Sequence, residues 1–360
     1  GQPLDPLEPG PHFSSMNSNH LIEFARALVQ RPSLSCQEGE VARRVQEEMK
    51  SLGYDQVHLD EFGNVIGVVD GQEPGPTLLL DAHTDTVDVT GGVAWARDPF
   101  SGDVSDGFLY GRGSADMQGA LAAMVLAAGT LARPASRGRV VVRASPMEEV
   151  LEGVALREVM RAHPPDFVVI GEATELTLAR GGRGRAEIHL KTLGVPTHSS
   201  APHLGRNAVL DMVKVVGGVE ALELPEDPLM GPAILALTEI TSEPYPANSV
   251  IPSISRATYD RRLLPGETVE DVLDPVREIG RVEGVQLEVA IGKGEYTTFT
   301  GELLQQEKYF PAWLFPVEDP FVSRALEGLE RSGLAPETRA YRFCTNAAYS
   351  AGVAGIPTVG

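Results

Sequence analysis

The sequence predicts an α/β protein with a largely parallel sheet, interrupted by a smaller inserted unit. Three observations support this fold class. Short apolar strands alternate with helical patterns up to about residue 180. The order of elements then changes until about residue 296. The last segment is Gly/Ala-rich, and we expect it to return to the first domain. At 360 residues the chain can hold two domains, because a single core stops growing at about 250–300 residues.

The N-terminal part supplies the alternating helices and strands. Its strands are short apolar runs bounded by Gly, Pro, Asn and Asp, as expected for strands buried on both faces of a sheet. In chain order we predict helices at residues 19–28 and 37–52, strands at 65–69 and 77–80, a helix at 118–131, a strand at 140–144, a helix at 154–161 and a strand at 167–170.

The middle of the chain follows the order βαββαβ, the split unit of ferredoxin-like folds. The predicted strands cover residues 186–192, 234–241, 255–263 and 285–291, and the predicted helices cover 208–221 and 269–282. Such a unit inside an α/β chain predicts an inserted lid. We therefore expect a main domain at 16–180 and 297–360, with a helix at 320–332, and a lid at 181–296. The Pro/Gly-rich residues 1–15 are expected to be an extension outside the fold.

Charge and cysteine content exclude several classes of protein. Fifty acidic against thirty basic residues give a formal charge of −20, which disfavours binding to nucleic acid and to anionic membranes. Small molecules, metal ions or copies of the chain are the expected partners. Cys36 and Cys344 alone cannot form a disulfide framework or a four-cysteine zinc site, and a reducing cytoplasm fits best. No apolar run approaches the ~18 residues of a membrane span.

Two motifs place His or Asp where a strand ends or a helix begins. In LLLDAHTDTV, His83 and Asp85 follow a strand directly, so the imidazole can bind a metal and the carboxylate can orient it. In LYGRGSADMQGA, Asp116 lies in a Gly/Ser-rich turn before the long helix. Each has a simpler explanation, since the first could be an ordinary polar turn and Asp116 could be a helix N-cap.

Two further motifs end strands with carboxylates. In ASPMEEVLEG, Glu148 and Glu149 follow a buried strand. Because adjacent side chains point in different directions, one can bind metal while the other acts as a general base. In VVIGEATEL, Glu172 ends another strand. Four such junctions predict one shared site, against the alternative of four unrelated solvated turns.

The donor types indicate the metal. One imidazole with several carboxylates and no thiolate suits Zn²⁺, or the harder Mn²⁺ and Co²⁺. A shared carboxylate could hold two such ions about 3.5–4 Å apart. We therefore predict two divalent cations, most simply zinc, which would activate a water molecule and polarise a carbonyl. Glu148 would take the proton from that water.

The segments HTDTV, GRGSADMQGA, MEE and GEATEL, in this order and followed by a lid, resemble the M20 family of metallopeptidases and deacylases over nearly the whole chain after Met16. The family includes acetylornithine deacetylase, succinyl-diaminopimelate desuccinylase, glutamate carboxypeptidases and a selenium-metabolism-linked branch. The resemblance implies a mixed-sheet, zinc-peptidase-like catalytic domain with an inserted ferredoxin-like lid. It also implies amide hydrolysis in a small N-acyl amino acid or peptide.

The resemblance also implies the roles of individual residues. In the lid, His198 of GVPTHSSAPHLGRNAV resembles a histidine that reaches the partner subunit's active site and stabilises the oxyanion, which implies a homodimer. Asn248 resembles a residue that contacts substrate or oxyanion, and Arg262 one that binds the substrate carboxylate. Arg261 is the alternative to Arg262, since strand alternation sends the two to opposite faces. The remaining implied roles are metal binding by His83 and Glu172 at one ion and by Glu149 at the second, bridging by Asp116, orientation of His83 by Asp85, and general-base catalysis by Glu148.

One ligand expected from the family is missing. The family places a histidine shortly after a segment like IPTVG, and this chain has no histidine between His203 and Gly360. We expect that histidine beyond Gly360 in a longer chain; a site short of one ligand is the alternative. Three hypotheses follow: a hydrolase of N-acyl amino acids with Glu148 as base, a dipeptidase or carboxypeptidase of the same fold, and a non-catalytic binder of metal or amino acids.

Overall fold

The computed structural model describes residues 18–89, 94–131 and 136–360, so the extension predicted at residues 1–15 lies outside the described residues. The described helices are α1 (Ser18–Val29), α2 (Gly39–Ser51), α3 (Gly119–Gly129), α4 (Val154–Ala162), α5 (Ala208–Glu220), α6 (Val269–Val282) and α7 (Pro320–Arg331). The described strands are β1 (Gln56–Leu59), β2 (Val65–Asp70), β3 (Glu73–His83), β4 (Asp103–Ser105), β5 (Phe108–Tyr110), β6 (Arg137–Ser145), β7 (Phe167–Ile170), β8 (Leu178–Gly182), β9 (Gly184–Leu193), β10 (Glu226–Asp227), β11 (Gly231–Pro232), β12 (Ile234–Glu243), β13 (Ile254–Leu263), β14 (Leu287–Ile291), β15 (Lys293–Thr297), β16 (Leu303–Glu307), β17 (Tyr309–Phe310), β18 (Trp313–Leu314), β19 (Thr338–Tyr341) and β20 (Thr358–Val359).

The largest sheet has six strands in the order β1-β2-β6-β3-β7-β20. Strand β3 lies between β6 and β7 and is parallel to both, and β20 is parallel to β7. Strand β2, in contrast, is antiparallel to both β6 and β1. The sheet is therefore mixed, as the family resemblance implies, and the expectation of a largely parallel sheet holds only for its β6-to-β20 side.

Both faces of this sheet are covered. Along β6, Val142 belongs to a core shared with α1, α2 and α3, whereas Val141 belongs to a core shared with α4 on the opposite face. Helix α3 is almost wholly apolar, and its Leu121 and Val125 are fully buried against the sheet. Burial on both faces explains why the strands read as continuous apolar runs in the sequence.

The middle of the chain forms a second, antiparallel sheet in the order β12-β13-β9-β14. The chain order β9-α5-β12-β13-α6-β14 is the predicted one, and the arrangement is ferredoxin-like. Alternation along β9 buries Ile188 and Leu190 in the core with α5 and α6, whereas Glu187 and His189 face the other side. We call residues 184–291 the βαββαβ unit. Its role as a lid and the predicted domain bounds stay predictions.

A third sheet connects the chain before and after the βαββαβ unit. Strand β8 is antiparallel to β18 and parallel to β19. The sequence analysis missed these strands, because they are two to five residues long and β8 ends in a Gly pair. Within the described residues, no helix is long and apolar enough to cross a membrane. Cys36 and Cys344 are both free thiols.

Candidate metal centre

Residues from three of the four predicted motifs line one cavity of about 290 Å³, and His83 from the fourth lies against it. The motifs meet because β3, β6 and β7 end at the same edge of the largest sheet, with His83 paired to Ser145 and Asp81 paired to Ile170. Five carboxylates and two arginines line the cavity. The lining residues are Asp116, Glu148, Glu149, Glu152, Glu172, Arg185, Arg262, Phe343 and Cys344.

His83 is the last residue of β3 and is buried. Its Nε2 lies 3.0 Å from Oδ1 of Asp116, 3.3 Å from Oε1 of Glu172 and 4.0 Å from Oε2 of Glu148. The ligand atoms of His83, Asp116 and Glu172 all lie within 4.8 Å of one another. The structure thus groups three of the four predicted ligands closely, and the fourth, Glu149, lines the same cavity.

Asp85 contacts His83 mainly through its backbone. Nδ1 of His83 lies 2.8 Å from the carbonyl oxygen of Asp85 and 3.5 Å from its carboxylate. The carboxylate instead accepts hydrogen bonds from the amides of Glu148 and Glu149, at 3.0 and 3.1 Å, and from the hydroxyl of Ser35 at 2.7 Å. Asp85 therefore joins the end of β3 to the loop that carries the two glutamates, a second task that the sequence analysis did not predict.

Asp116 does not cap a helix, so the N-cap explanation is wrong. Helix α3 begins at Gly119 with Gln118 as its N-cap residue, and Asp116 has the non-helical angles φ −126° and ψ 96°. Gly113, three residues earlier, has φ 84°, where a Cβ atom would lie 3.0 Å from Cγ2 of Thr86. This turn holds the Asp116 carboxylate beside His83 while leaving 63% of the side chain exposed.

Burial disfavours the ionised form of the four glutamates in the cavity, whereas the hydrogen bond with His83 lowers the pKa of Asp116. Burial raises the pKa of Glu148 well above its usual range, the charge of Glu172 adds to the effect, and Oε1 of Glu148 has no hydrogen-bond partner in the described part of the chain. Burial likewise raises the pKa of Glu149 to about 7 and raises that of Glu172. Burial works against a charged His83, but hydrogen bonds to Asp116 and Glu172 raise its pKa well above the ordinary value.

These residues fit a divalent cation. An imidazole nitrogen with carboxylate oxygens is a donor set for Zn²⁺ and for the harder Mn²⁺ and Co²⁺. Buried carboxylates that outnumber their cationic partners are costly, and a bound cation relieves that cost. Cys344 also lines the cavity, and burial raises the pKa of its thiol well above the ordinary value.

A row of ion pairs links the cavity to the βαββαβ unit. Glu152 accepts a hydrogen bond from Nη1 of Arg185 at 2.9 Å, Nε of Arg185 donates to Asp260 at 2.9 Å, and Asp260 holds Nε of Arg262 at 2.8 Å. The sequence analysis missed Arg185. Arg185 on β9 is paired in register with Arg262 on β13, and this neighbourhood depends on which strands pair, so no pattern in the sequence marks it.

Arg261, the neighbour of Arg262 in the chain, does not line the cavity. Arg261 is buried and forms an ion pair with Glu267, whereas Arg262 lines the cavity. The structure therefore brings Arg262, and not Arg261, to the cavity, which agrees with the strand alternation considered above.

Similarity to known proteins places these residues in a family. The family model described as peptidase family M20/M25/M40 matches residues 79–360, which include His83, Asp116, Glu172 and both glutamates of the MEE motif. The chain belongs to this family.

Individual relatives match over most of the M20 chain. The chain is 34% identical over 353 residues to the uncharacterized protein YgeY of Escherichia coli strain K12. The aligned region covers 94% of this chain and 85% of that protein. The chain is 28% identical over 340 residues to a succinyl-diaminopimelate desuccinylase of Cereibacter sphaeroides, with 88% and 84% covered. An M20 family metallo-carboxypeptidase from Sulfolobus solfataricus has the same fold, with a TM-score of 0.73, 19% identity, and 95% and 90% covered.

In this M20 chain, His198 and Asn248 do not line the cavity. Both are exposed and lie in neighbouring loops of the βαββαβ unit, where His198 forms a β-bridge with Val250. Nδ1 of His198 lies 2.7 Å from the hydroxyl of Ser200. The two predicted residues therefore lie near each other in the structure but outside the site of their own chain.

Proposed function

We propose that the chain hydrolyses an amide bond beside a free carboxylate, with small N-acyl amino acids as its substrates. One observation carries the proposal: the buried Glu148 carboxyl, whose Oε1 has no hydrogen-bond partner among the described residues, lines the cavity beside which His83, Asp116 and Glu172 cluster. The first supplies a base and the second a cation site, which are the two components that metal-assisted hydrolysis requires.

The metal ligands are His83, Asp116, Glu149 and Glu172. We propose that they hold two divalent cations, most simply zinc, with cobalt and manganese as alternatives. When bound, such cations lower the pKa of a water molecule and polarise a substrate carbonyl. The excess of carboxylates in the cavity supports this proposal.

Glu148 is the general base of the proposed reaction. It takes a proton from the water whose oxygen attacks the amide carbon, and it then donates that proton to the departing nitrogen, so that an acid and an amine are released. Burial raises the pKa of Glu148, which makes its carboxylate a stronger proton acceptor, and the protonated form is the donor that the departing nitrogen needs. The contacts from Asp85 to the amides of Glu148 and Glu149 fix the loop that carries this base.

Arg262 is the proposed partner of the substrate carboxylate. It lines the cavity, and Asp260 holds its Nε, which leaves the terminal nitrogens of the guanidinium for a ligand. Arg185, which also pairs with Glu152, forms a second ion pair with Asp260. A substrate with a carboxylate near the scissile amide fits this arrangement.

We propose a homodimer in which His198 and Asn248 serve the partner's site. Their exposure outside their own cavity supports this, as does the unpaired edge of β12. Exposed apolar side chains lie on the same unit. They are Leu210 and Val213 of α5, Ile240 of β12, and Tyr245 in the following loop. A second copy of the chain would cover these side chains.

Two other functions compete with deacylation. A dipeptidase or carboxypeptidase would use the same centre, and the fold shared with a metallo-carboxypeptidase is compatible with it. A non-catalytic binder of metal or amino acids would bind without turnover. We favour deacylation because a named relative at 28% identity is a desuccinylase. The free thiols of Cys36 and Cys344 support a reducing compartment, and we propose the cytoplasm.

A hydrolysis screen tests the proposed function. The chain is freed of metal with a chelator, reloaded with Zn²⁺, Co²⁺ or Mn²⁺, and offered N-acetyl and N-succinyl amino acids, their carboxamide-capped forms, and dipeptides. We expect metal-dependent hydrolysis of the N-acyl amino acids and poor hydrolysis of the capped forms. Preferred cleavage of dipeptides would support the peptidase, and calorimetric binding of metal and N-acyl amino acid without any turnover would support the binder.

A further inference from the structure

The backbone just before the proposed base is held in an uncommon conformation. Met147 has φ 61°, in the left-handed region that residues other than glycine rarely adopt. Such a conformation persists only where the surroundings hold it. Because Met147 directly precedes Glu148 and Glu149, its backbone angles set where these two side chains begin.

Two carboxylates hold three successive amides of this loop. The amide of Met147 donates to Oε1 of Glu38 at 3.1 Å. The next two amides, of Glu148 and Glu149, donate to the two oxygens of Asp85. Asp85 belongs to the same motif as His83. Glu38, in contrast, belongs to none of the motifs and is 109 residues away from Met147 in the sequence.

Glu38 is placed for this task rather than for capping its own helix. It is the N-cap residue of α2, yet its side chain makes no capping hydrogen bond. Its Oε1 also accepts from the amide of Cys36 at 3.0 Å, and Cys36 has φ 71°. One oxygen atom therefore accepts hydrogen bonds from the amides of two left-handed residues other than glycine, Cys36 and Met147. These two residues lie in segments that are distant in the sequence.

The protein encloses the Glu38 carboxyl. The side chain is fully buried, and Oε2 has no hydrogen-bond partner among the described residues. Burial, followed by the charge of Asp85, raises the pKa of Glu38 to about 7. An apolar side chain would be the cheaper choice for a position that only filled space. The acceptor oxygen is what this position supplies.

We propose that Glu38 is a positioning residue, whose Oε1 fixes the left-handed turn at Met147 and thereby directs Glu148 and Glu149 to their separate places in the cavity. Together with Asp85, Glu38 forms a clamp on residues 147–149. The proposal rests on the proposed function for the tasks of the two glutamates, but the clamp itself is a property of the described contacts.

Three variants of Glu38 test the clamp through the turnover number. Glu38→Gln keeps an acceptor oxygen at the same reach, so kcat should stay within about threefold. Glu38→Leu removes the acceptor and should lower kcat about 100-fold with KM nearly unchanged, because small misplacements of a catalytic group cost rates of this size. Glu38→Asp keeps a buried carboxyl but shortens its reach, so it should fold and still lose about tenfold in kcat.

The matched control is Glu48→Leu. Glu48 is also a buried glutamate, lies on the same helix α2, and pairs with Arg44 away from the cavity. This variant should lower thermal stability but leave kcat of the folded protein unchanged. If Glu38→Leu keeps full kcat, or if Glu38→Gln is as impaired as Glu38→Leu, the acceptor role is wrong. Equal losses of kcat in the Glu38 and Glu48 variants would reduce Glu38 to a structural residue.

A readout without catalysis separates this proposal from the proposed function. Hydrogen exchange of the peptide containing Met147 should be faster in Glu38→Leu and Glu38→Asp than in the wild type, and unchanged in Glu38→Gln and Glu48→Leu. Zinc titration should show weaker binding only in Glu38→Leu and Glu38→Asp. If the wild type hydrolyses nothing, the proposed function fails while exchange and zinc affinity still decide the clamp. Unchanged exchange and zinc affinity in both weakened variants would overturn the clamp.

Discussion

Glu148 and Glu149 are neighbours in the chain, and their backbone is held at three successive amides. Glu38 holds the amide before them and Asp85 holds their own two. Without these contacts the loop would have to keep a left-handed methionine, Met147, unaided. The proposed base and the proposed metal ligand can therefore be adjacent in the chain while their side chains keep separate positions.

The first prediction concerns Arg262. Arg262→Met should raise KM about 10- to 100-fold for substrates with a free carboxylate, since hydrogen bonds to a charged group are worth about 1.5–3 kcal/mol. The value of kcat should change less, because the carboxylate is not the reacting group. Steady-state kinetics with an N-acyl amino acid and its carboxamide-capped form measure both effects.

The control for Arg262 lies on the same strand. Arg256 is exposed, pairs with Glu243, and does not line the cavity, so Arg256→Met should leave KM unchanged. A uniform rise in KM for the carboxylate and the capped substrate in Arg262→Met would show that Arg262 does not recognise the carboxylate.

The residues of the centre could be predicted where chemistry and position coincide in the sequence. His83, Asp116 and Glu172 each follow a strand or precede a helix, and the structure brings them together. Glu38 and Arg185 could not be predicted in this way, because their contacts depend on which loops and strands face each other. The backbone contact of Asp85 with His83 was also beyond reach, since a sequence does not distinguish a carbonyl from a carboxylate as the partner.

At the scale of elements, strand register determines where the polar face of the βαββαβ unit begins. Arg185 and Glu187 alternate along β9 with buried apolar residues, and β13 matches them with Arg262 and Asp260 in register. The charged row therefore starts at the cavity and continues along the open face of the sheet. The proposed substrate recognition and the packing of the sheet therefore depend on the same two strands.

The second prediction concerns pH and Glu187. Hydrogen bonds from His189 and Lys308 lower the pKa of Glu187 to about 2, from an ordinary value of 4.5. A lowered pKa in the folded state means that the stabilisation is complete above about pH 4.5 and is lost as the pH falls towards 2. Thermal melts from pH 7 to pH 2 should show that wild type is more stable than Glu187→Gln at neutral pH, and that the difference vanishes in acid.

Glu288→Gln is the matched control for this series. Glu288 pairs with Lys191 on the same sheet but is more than half exposed, so solvent screens the pair and the melts should barely change. If the difference between wild type and Glu187→Gln is constant from pH 7 to pH 2, the ion pair does not stabilise the fold.

The long elements were predictable from periodicity, and the short ones were not. The sequence shows a helical period in α5 and α6 and strand alternation in β9. The βαββαβ order could be predicted from such long elements. Strand β18 has two residues, and its pairing with β8 depends on how the chain returns after the βαββαβ unit. The antiparallel position of β2 beside β6 was also missed, because two buried strands read alike whatever their direction.

At the scale of the whole molecule, charge and assembly act together. The chain carries a formal charge of −20, so an anionic substrate must approach against the general field of the protein. Arg185 and Arg262 provide the local positive charge at the cavity. In the proposed dimer, His198 of the partner subunit would complete the opposite side of the site.

The third prediction is complementation between subunits. His198→Ala and Glu148→Gln should each be inactive alone, because every site in either homodimer lacks one group. Mixed after dissociation, they should recover about a quarter of wild-type activity, since a two-fold dimer forms mixed pairs half of the time and each mixed pair has one intact site. Each variant refolded alone is the control, and no recovery in confirmed mixed dimers would show that His198 does not act across the interface.

Glu148→Gln separates the proposed base from the metal centre that other residues are proposed to hold. Zinc titration and hydrolysis are measured on the same preparation, with Glu307→Gln, which changes an exposed glutamate, as the control. We expect unchanged zinc binding and a loss of about 10²- to 10⁴-fold in kcat, the usual contribution of a general base. If Glu148→Gln binds zinc and hydrolyses at the full rate, Glu148 is not the base.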